Sequence, residues 1–135
     1  MKRWLALAAV VAATGGGAGC RGDQGPVAGE LAVRIATPRS GDRAVVFVVT
    51  GRLHAVTAPP GSAYRVFADT SANGDTAHVV VVAASGNGVA AGEIARIRVD
   101  DTRKATSYLA RVIDVAAASY GNGDTSGVSL TVVRP

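Results

Sequence analysis

The sequence predicts an all-β protein, a two-sheet antiparallel β-sandwich of about eight strands that follows an N-terminal signal segment. Short valine-rich runs alternate with turn residues, and the chain contains 17 glycines, a mixture that favours strands joined by turns. Several of these runs alternate apolar and polar residues, as strands with one buried face do. The turn signals recur at the spacing that is typical of a sandwich.

The first four predicted strands are separated by Pro and Gly residues, which interrupt regular structure. "ELAVRIA" (30–36) alternates apolar residues with small or charged ones, so one face should be buried. "RAVVFVVTG" (43–51) is a nearly continuous apolar run, typical of a well-buried strand. "RLHAVTA" (52–58) is a weaker strand, and "AYRVFAD" (63–69) alternates again.

The fifth and sixth predicted strands follow the turn "SANGD" (71–75), where Asn73-Gly74 suits the positive φ angles of a hairpin. "TAHVVVVAA" (76–84) is the first of them, and "AGEIARIRVDD" (91–101) alternates Ile and Val with Arg.

The last two predicted strands differ in clarity. "SYLARVIDVAAAS" (107–119) fits a strand with Leu109, Ile113 and Val115 inward, and it also fits a helix with one apolar face. Its β-branched residues favour the strand. "VSLTVVR" (128–134) closes the domain, and its apolar residues Val128, Leu130 and Val132 are expected to face inward.

The N-terminus has the features of a secretory signal. Lys2 and Arg3 precede an apolar run from residue 4 to residue 13, which is shorter than the roughly 20 residues that a transmembrane helix needs. We therefore divide the chain into a signal peptide at 1–19, a lipid-anchored flexible tether at 20–29 and a β-sandwich domain at 30–135.

The small residues Gly17-Ala18-Gly19 before Cys20 resemble the lipobox of bacterial lipoproteins. The resemblance implies that the Cys20 sulfur receives a diacylglyceryl group, and that a peptidase cuts just before Cys20, whose amino group is then acylated. Gly17 stands where the family usually has Leu or another large aliphatic residue. The alternative is ordinary signal-peptidase cleavage within "ATGGGAG" (13–19), which would leave Cys20 as a free thiol.

Lipid on Cys20 would be a sufficient membrane anchor. Each buried methylene contributes about 0.8 kcal/mol, and one acyl chain binds only marginally, whereas two or three chains on one residue hold firmly. We therefore expect the membrane as a partner through Cys20, and a location in the cell envelope outside the cytoplasm, at the outer membrane or the cell surface. The polar, Gly- and Pro-containing stretch 21–29 suits a flexible tether.

Composition excludes several classes of protein. A single cysteine rules out an intrachain disulfide framework and a multi-cysteine zinc site. The net charge is +4, but removal of Lys2 and Arg3 with the signal leaves 12 basic and 10 acidic residues. The basic residues are dispersed and aromatic residues are 4% of the chain, so nucleic-acid binding is not expected.

Catalytic motifs are absent from the sequence. It has no Gly-x-Ser-x-Gly elbow, no His-Glu-x-x-His and no phosphate-binding loop. His54 and His78 lie on different predicted strands, and the acids lie mostly at turns or strand ends, where Asp bonds the local backbone. The adjacent side chains of Asp100 and Asp101 should diverge. We expect no catalytic residue, metal ligand or cofactor; the alternative is an exported hydrolase with a site assembled from scattered His, Asp and Glu.

The tetrapeptide "NGDT" occurs at 73–76 and again at 122–125. Turns that are rich in Asn and Asp oxygens can bind calcium. We interpret both copies as plain turns, and a calcium-stabilised adhesion protein would be favoured if Asp75 and Asp124 converged.

The order of the runs "GEIARIRV", "YLARVIDV" and "GVSLTVV" is loosely similar to cohesin-type and carbohydrate-binding sandwich modules of secreted bacterial proteins. The similarity implies a binding role with a protein or carbohydrate partner. The runs "VVFVV" and "HVVVVAA" are apolar on both faces, which indicates tolerated outward valines or an apolar patch that meets a partner or a covering loop. The leading hypothesis is a non-catalytic binding or structural module.

Overall fold

The computed structural model describes residues 24–84 and 86–135, which form two four-stranded antiparallel sheets and so confirm the predicted all-β sandwich. The eight strands in chain order are β1 Gly29–Ala36, β2 Ala44–Thr50, β3 Ala55–Thr57, β4 Arg65–Thr70, β5 Thr76–Val82, β6 Gly92–Val99, β7 Leu109–Ala116 and β8 Ser129–Val133. A 3₁₀ helix, Thr102–Ser107, connects β6 to β7.

The strand pairings are nested around the β4–β5 hairpin. Sheet A has the order β3-β6-β1-β8, and sheet B has the order β4-β5-β2-β7. The chain therefore folds back on itself, so that β3 pairs with β6, β2 with β7 and β1 with β8. As a result, the two most valine-rich strands, β2 and β5, lie side by side at the centre of sheet B.

The core is built by the two-residue period of the strands, because successive side chains point to opposite faces. Alternate residues of β2 are almost completely buried, with Val45, Phe47 and Val49 at most 1% exposed, and β5 contributes Val79 and Val81. The predicted inward faces of β1 and β8 are confirmed by the residues that form or pack against the core, Leu31, Val33, Ile35, Val128, Leu130 and Val132.

Two β-bulges change which residues face the core. In β6 the bulge adds Ile94, and both Ile94 and Ala95 are fully buried. In β7 the bulge adds Ile113, and both Ile113 and Asp114 are exposed. A bulge places two residues opposite one on the partner strand and so breaks the strict alternation.

The strand interpretation of residues 107–119 is correct, but of its predicted inward residues only Val115 is buried. Leu109 is 66% exposed and Ile113 is 47% exposed, whereas Ala110 and Val115 are buried and Val112 packs against the core. The bulge is the reason, because a shift of one residue exchanges the two faces of a strand.

The first "NGDT" stretch forms the turn between β4 and β5. Gly74 donates its N–H to the Ser71 carbonyl and has φ +74°, so it uses the conformational freedom of glycine. Asn73 does not share this positive φ. The prediction of a turn is therefore confirmed, with one positive-φ residue instead of two.

The two phenylalanines make a matched pair for testing the burial pattern. Phe47 is fully buried on β2, and Phe67 on β4 is 59% exposed. We expect Phe47→Ala to lower the free energy of unfolding by about 3–5 kcal/mol, because it leaves a cavity in the core. Phe67→Ala should change it by less than about 1 kcal/mol. Urea denaturation of both variants measures this, and equal losses would contradict the assigned faces.

Candidate functional site

The outer face of sheet B carries an apolar row that crosses all four strands. Register pairing aligns Phe67 on β4 with Val80 on β5, Val80 with Val46 on β2, and Val46 with Asp114 on β7, next to the bulged residue Ile113. Phe67 and Ile113, at the two ends of this apolar row, are exposed, and the two valines between them are partly exposed. The outward valines of both runs, for which the sequence leaves open tolerated residues or an apolar patch, therefore lie in one row with Phe67 and Ile113.

A second row runs beside the apolar row and ends in opposite charges. Asp69 on β4 pairs in register with His78, His78 with Val48, and Val48 with Arg111 on β7. We call this the charged row, and the two rows together the sheet B face. Asp69, Arg111 and His78 are exposed, so His78 occupies an outward strand position and not a pocket.

The outer face of sheet A is charged, in contrast to the sheet B face. Arg96 on β6 lies between two carboxylates, with its Nε 2.6 Å from Glu93 Oε1 and its Nη1 3.4 Å from Glu30 Oε2. The hydrogen bond to Glu93 raises the pKa of Arg96 above its ordinary value. Glu93 is thus held by a guanidinium, and this cluster keeps the outer surface of sheet A polar.

His54 contacts a carboxylate in an exposed setting. It precedes β3, and its Nε2 lies 2.6 Å from Asp100 Oδ1, just after β6. The side chains of His54 and Asp100 are 48% and 60% exposed. A His–Asp pair is two thirds of a hydrolase triad, but among the hydrogen bonds of the described residues no Ser or Thr hydroxyl reaches His54.

The two "NGDT" stretches have separate polar partners. Asp75 accepts a hydrogen bond from the Asn73 amide within its own turn. Asp124 accepts from the Ser126 hydroxyl and backbone N–H and faces the Arg39 guanidinium, and the bonds from Ser126 lower the pKa of Asp124. Each carboxylate is satisfied by its own loop and its own neighbours.

The second "NGDT" stretch is not a hairpin turn. Asn122 forms an isolated bridge with Ala116, and the Gly123 N–H donates to the Val115 carbonyl. The stretch therefore runs along the end of β7. The positive φ angles of this loop fall at Tyr120 and Gly127 instead. The prediction of a plain turn at 122–125 is corrected in this respect.

Asp101 fastens the N-terminal segment to the domain. The carboxylate is 7% exposed and accepts hydrogen bonds from the backbone N–H of Val27 and from the backbone and guanidinium of Arg103. The Arg103 side chain also donates to the Gln24 carbonyl, and the Thr102 N–H donates to the Val27 carbonyl. We call this set of contacts the Asp101 clamp.

The neighbouring carboxylates of Asp100 and Asp101 have different partners. Asp100 points outward to His54, and Asp101 points inward to Val27 and Arg103, so their side chains diverge as the sequence predicts. The hydrogen bonds from Arg103 hold the pKa of Asp101 far below its ordinary value. The sequence predicted a flexible tether over 20–29 and did not indicate the clamp, because the clamp joins residues that are 74 positions apart.

Two shallow grooves lie on the surface of residues 24–84 and 86–135. One, of about 310 Å³, lies between β7 and β8 and is lined by Ala110, Arg111, Val112, Thr125, Val128, Ser129 and Leu130. The other, of about 300 Å³, is lined by Arg65, Val82, Ala83 and Ala84. Neither lining contains a His, Asp, Glu or Cys, so these grooves lack the general acids and bases that hydrolysis requires.

The remaining sequence predictions concern the membrane anchor and metal binding. The predicted lipid-attachment residue Cys20 and the signal segment lie outside the described residues. Within residues 24–84 and 86–135, no helix has the length and apolar character needed to cross a bilayer. The same residues contain no group of three or more His, Cys, Asp or Glu side chains arranged to hold a metal ion.

Comparisons with protein-family models, with curated proteins and with solved structures find no match for this chain.

The Asp101 clamp should make stability depend on acid pH. Because the folded-state pKa of Asp101 is depressed, its contribution is complete above the ordinary carboxyl pKa of about 3.9 and is lost as the pH falls below that value. We expect Asp101→Asn to be less stable than the wild type at pH 7 and to lose less stability between pH 5 and pH 2. Urea midpoints across this range measure the effect.

The control for this prediction is Asp69→Asn, which removes the same charge from an exposed position on β4. It should follow the wild-type pH curve. Hydrogen exchange at the Val27 and Thr102 amides should accelerate in Asp101→Asn and not in Asp69→Asn. Parallel pH curves for all three proteins would contradict the clamp.

Proposed function

We propose that this chain is an envelope-anchored lipoprotein whose β-sandwich is a non-catalytic binding module, with the sheet B face as its contact surface. The observation that carries the binding role is the apolar row that Phe67, Val80, Val46 and Ile113 form across an otherwise solvent-facing sheet. Exposed contiguous apolar surface of this kind is typical of interaction sites. The outer face of sheet A offers a contrast, because Arg96 is paired there with Glu30 and Glu93.

The chemistry of the sheet B face favours a protein partner over a carbohydrate. Aliphatic side chains dominate it, and Phe67 is its one aromatic residue within the described part of the chain. Interface centres between proteins are depleted of charge and have polar rims. The sheet B face has this arrangement, because Asp69, Arg111 and the neighbouring Asp114 lie on its outer strands, β4 and β7.

The anchor part of the proposal is supported by the sequence around Cys20. Lipid on Cys20 would place the domain outside the cytoplasm, at the outer membrane or the cell surface. The chain from Cys20 to Gln24, the first residue that the Asp101 clamp holds, would span about 14 Å when fully extended. Such a short connection would keep the domain close to the bilayer.

The alternative of an exported hydrolase is favoured by one observation, the 2.6 Å contact between His54 and Asp100. Against it stands the exposure of both groups, since catalytic acids and bases usually lie in a cleft that shifts their pKa. The binding module is therefore the function that the geometry supports better.

The first test concerns Cys20. We expect metabolic labelling with a fatty acid in the native host to mark the wild-type chain. Cys20→Ala should abolish the label and release the domain from membranes, because the acyl chains supply the binding energy. Membrane fractionation with immunodetection measures the release, and unchanged membrane association of Cys20→Ala would contradict the anchor.

The second test concerns the contact surface. A photoreactive p-benzoylphenylalanine in place of Phe67 should cross-link to a protein in the intact envelope. The same group in place of Thr131, which is exposed on β8 in sheet A, should not. Gel mobility and mass spectrometry of the products read out the difference.

Two results would count against the binding module. Equal cross-linking from Phe67 and Thr131, or none from Phe67, would remove the sheet B face as the contact surface. Hydrolysis of an ester, glycoside or peptide substrate by the wild type, lost in a folded His54→Ala variant and retained in His78→Ala, would favour the hydrolase.

A further inference from the structure

The sheet B face is complementary to itself. The charged row ends in opposite charges, Asp69 on β4 and Arg111 on β7, and the apolar row ends in Phe67 on β4 and in the β7 bulge, where Ile113 lies beside Asp114. A surface of this kind matches a reversed copy of itself. From this pattern we propose that the partner of the sheet B face is a second copy of this chain, bound as a two-fold symmetric dimer. The inference rests on the proposed binding face and names its partner.

The symmetry follows from the strand order. Two identical faces meet isologously when a two-fold axis lies in the plane between them. We place the two-fold axis parallel to the strands, midway between β5 and β2. Rotation about this axis places β4 of one copy opposite β7 of the other, and β5 opposite β2. Each row then faces the same row of the other copy. Sheets that pack face to face keep their strands within about 30° of each other, which this arrangement satisfies.

The contacts that result match apolar with apolar residues and opposite charges with each other. Val80 meets Val46 of the second copy, and Phe67 meets the β7 bulge, where it covers Ile113 and leaves the neighbouring Asp114 at the edge of the contact. Asp69 meets Arg111 of the second copy, and symmetry produces this ion pair twice. His78 lies opposite Val48, so no like charges are opposed within either row.

The size of the face predicts a weak dimer in dilute solution. From strand spacing and rise, four strands of about seven residues give a face of about 19 by 24 Å, or about 450 Å². A standard stable interface takes about 800 Å² from each partner. Lipid anchoring would compensate, because confinement to a bilayer raises the effective concentration of the second copy. Self-association should therefore be much stronger on membranes than in dilute detergent.

A charge-exchange experiment tests this dimer. We would purify the full chain in detergent and measure its protein mass by light scattering over a range of concentrations. Asp69→Arg places Arg opposite Arg111, and Arg111→Asp places Asp opposite Asp69, so each single variant should dimerise at least about tenfold more weakly. The double variant restores two opposite-charge pairs and should recover the wild-type constant. Arg34→Asp, an equal charge change exposed on β1 in sheet A, should leave dimerisation unchanged.

Photo-cross-linking distinguishes the failure of this inference from the failure of the proposed function. Cross-links from Phe67 to β7 of a second copy in the envelope would support the dimer. Cross-links from Phe67 to a different protein would support the binding module and overturn self-association. An absence of cross-links from Phe67, with monomers at all concentrations, would overturn both. A double variant that dimerises more weakly than either single variant would overturn the proposed axis.

Discussion

The alternation of side chains in β2 and β5 is the constraint on which the rest of the structure depends. These two strands are apolar at nearly every position and lie together at the centre of sheet B. One set of their side chains, including Phe47 and Val79, fills the core. Because a strand presents its residues to both faces, the other set must lie on the outer surface. The core and the candidate interaction face are therefore two sides of the same sequence feature.

The two bulges extend this division between core and surface, because one adds a residue to the core and the other adds a residue to the outer surface. The bulge in β6 adds Ile94 to the core, where it is fully buried. The bulge in β7 moves Ile113 out of the core and places it beside Val46. A residue that would have filled the interior instead lengthens the exposed apolar row. Bulges that redirect side chains in this way are common near functional surfaces.

The N-terminal segment is attached to the opposite sheet by polar contacts. The Asp101 clamp holds Val27 just before β1, the strand that pairs with β6 and β8 in sheet A. Sheet A thus combines the ion pairs of Arg96 with the point where the chain enters the domain, and sheet B carries the apolar row. In the proposed function, the chain would be anchored on the side of sheet A and would bind its partner through sheet B.

The sequence by itself determined the all-β class, the approximate positions of the eight strands and the inward faces of β1 and β8, because strand periodicity is a local property. It also indicated that the valine runs are apolar on both sides. Only the tertiary structure decided that Phe67 and Ile113 join those valines, since this depends on strand order and on a bulge that slips the register of β7 by one residue. The Asp101 clamp and the His54–Asp100 contact were likewise decided by pairing between distant segments. Local sequence patterns do not specify which residues will pair across a sheet. The sheet B face, the Asp101 clamp and the His54–Asp100 contact all depend on such pairing.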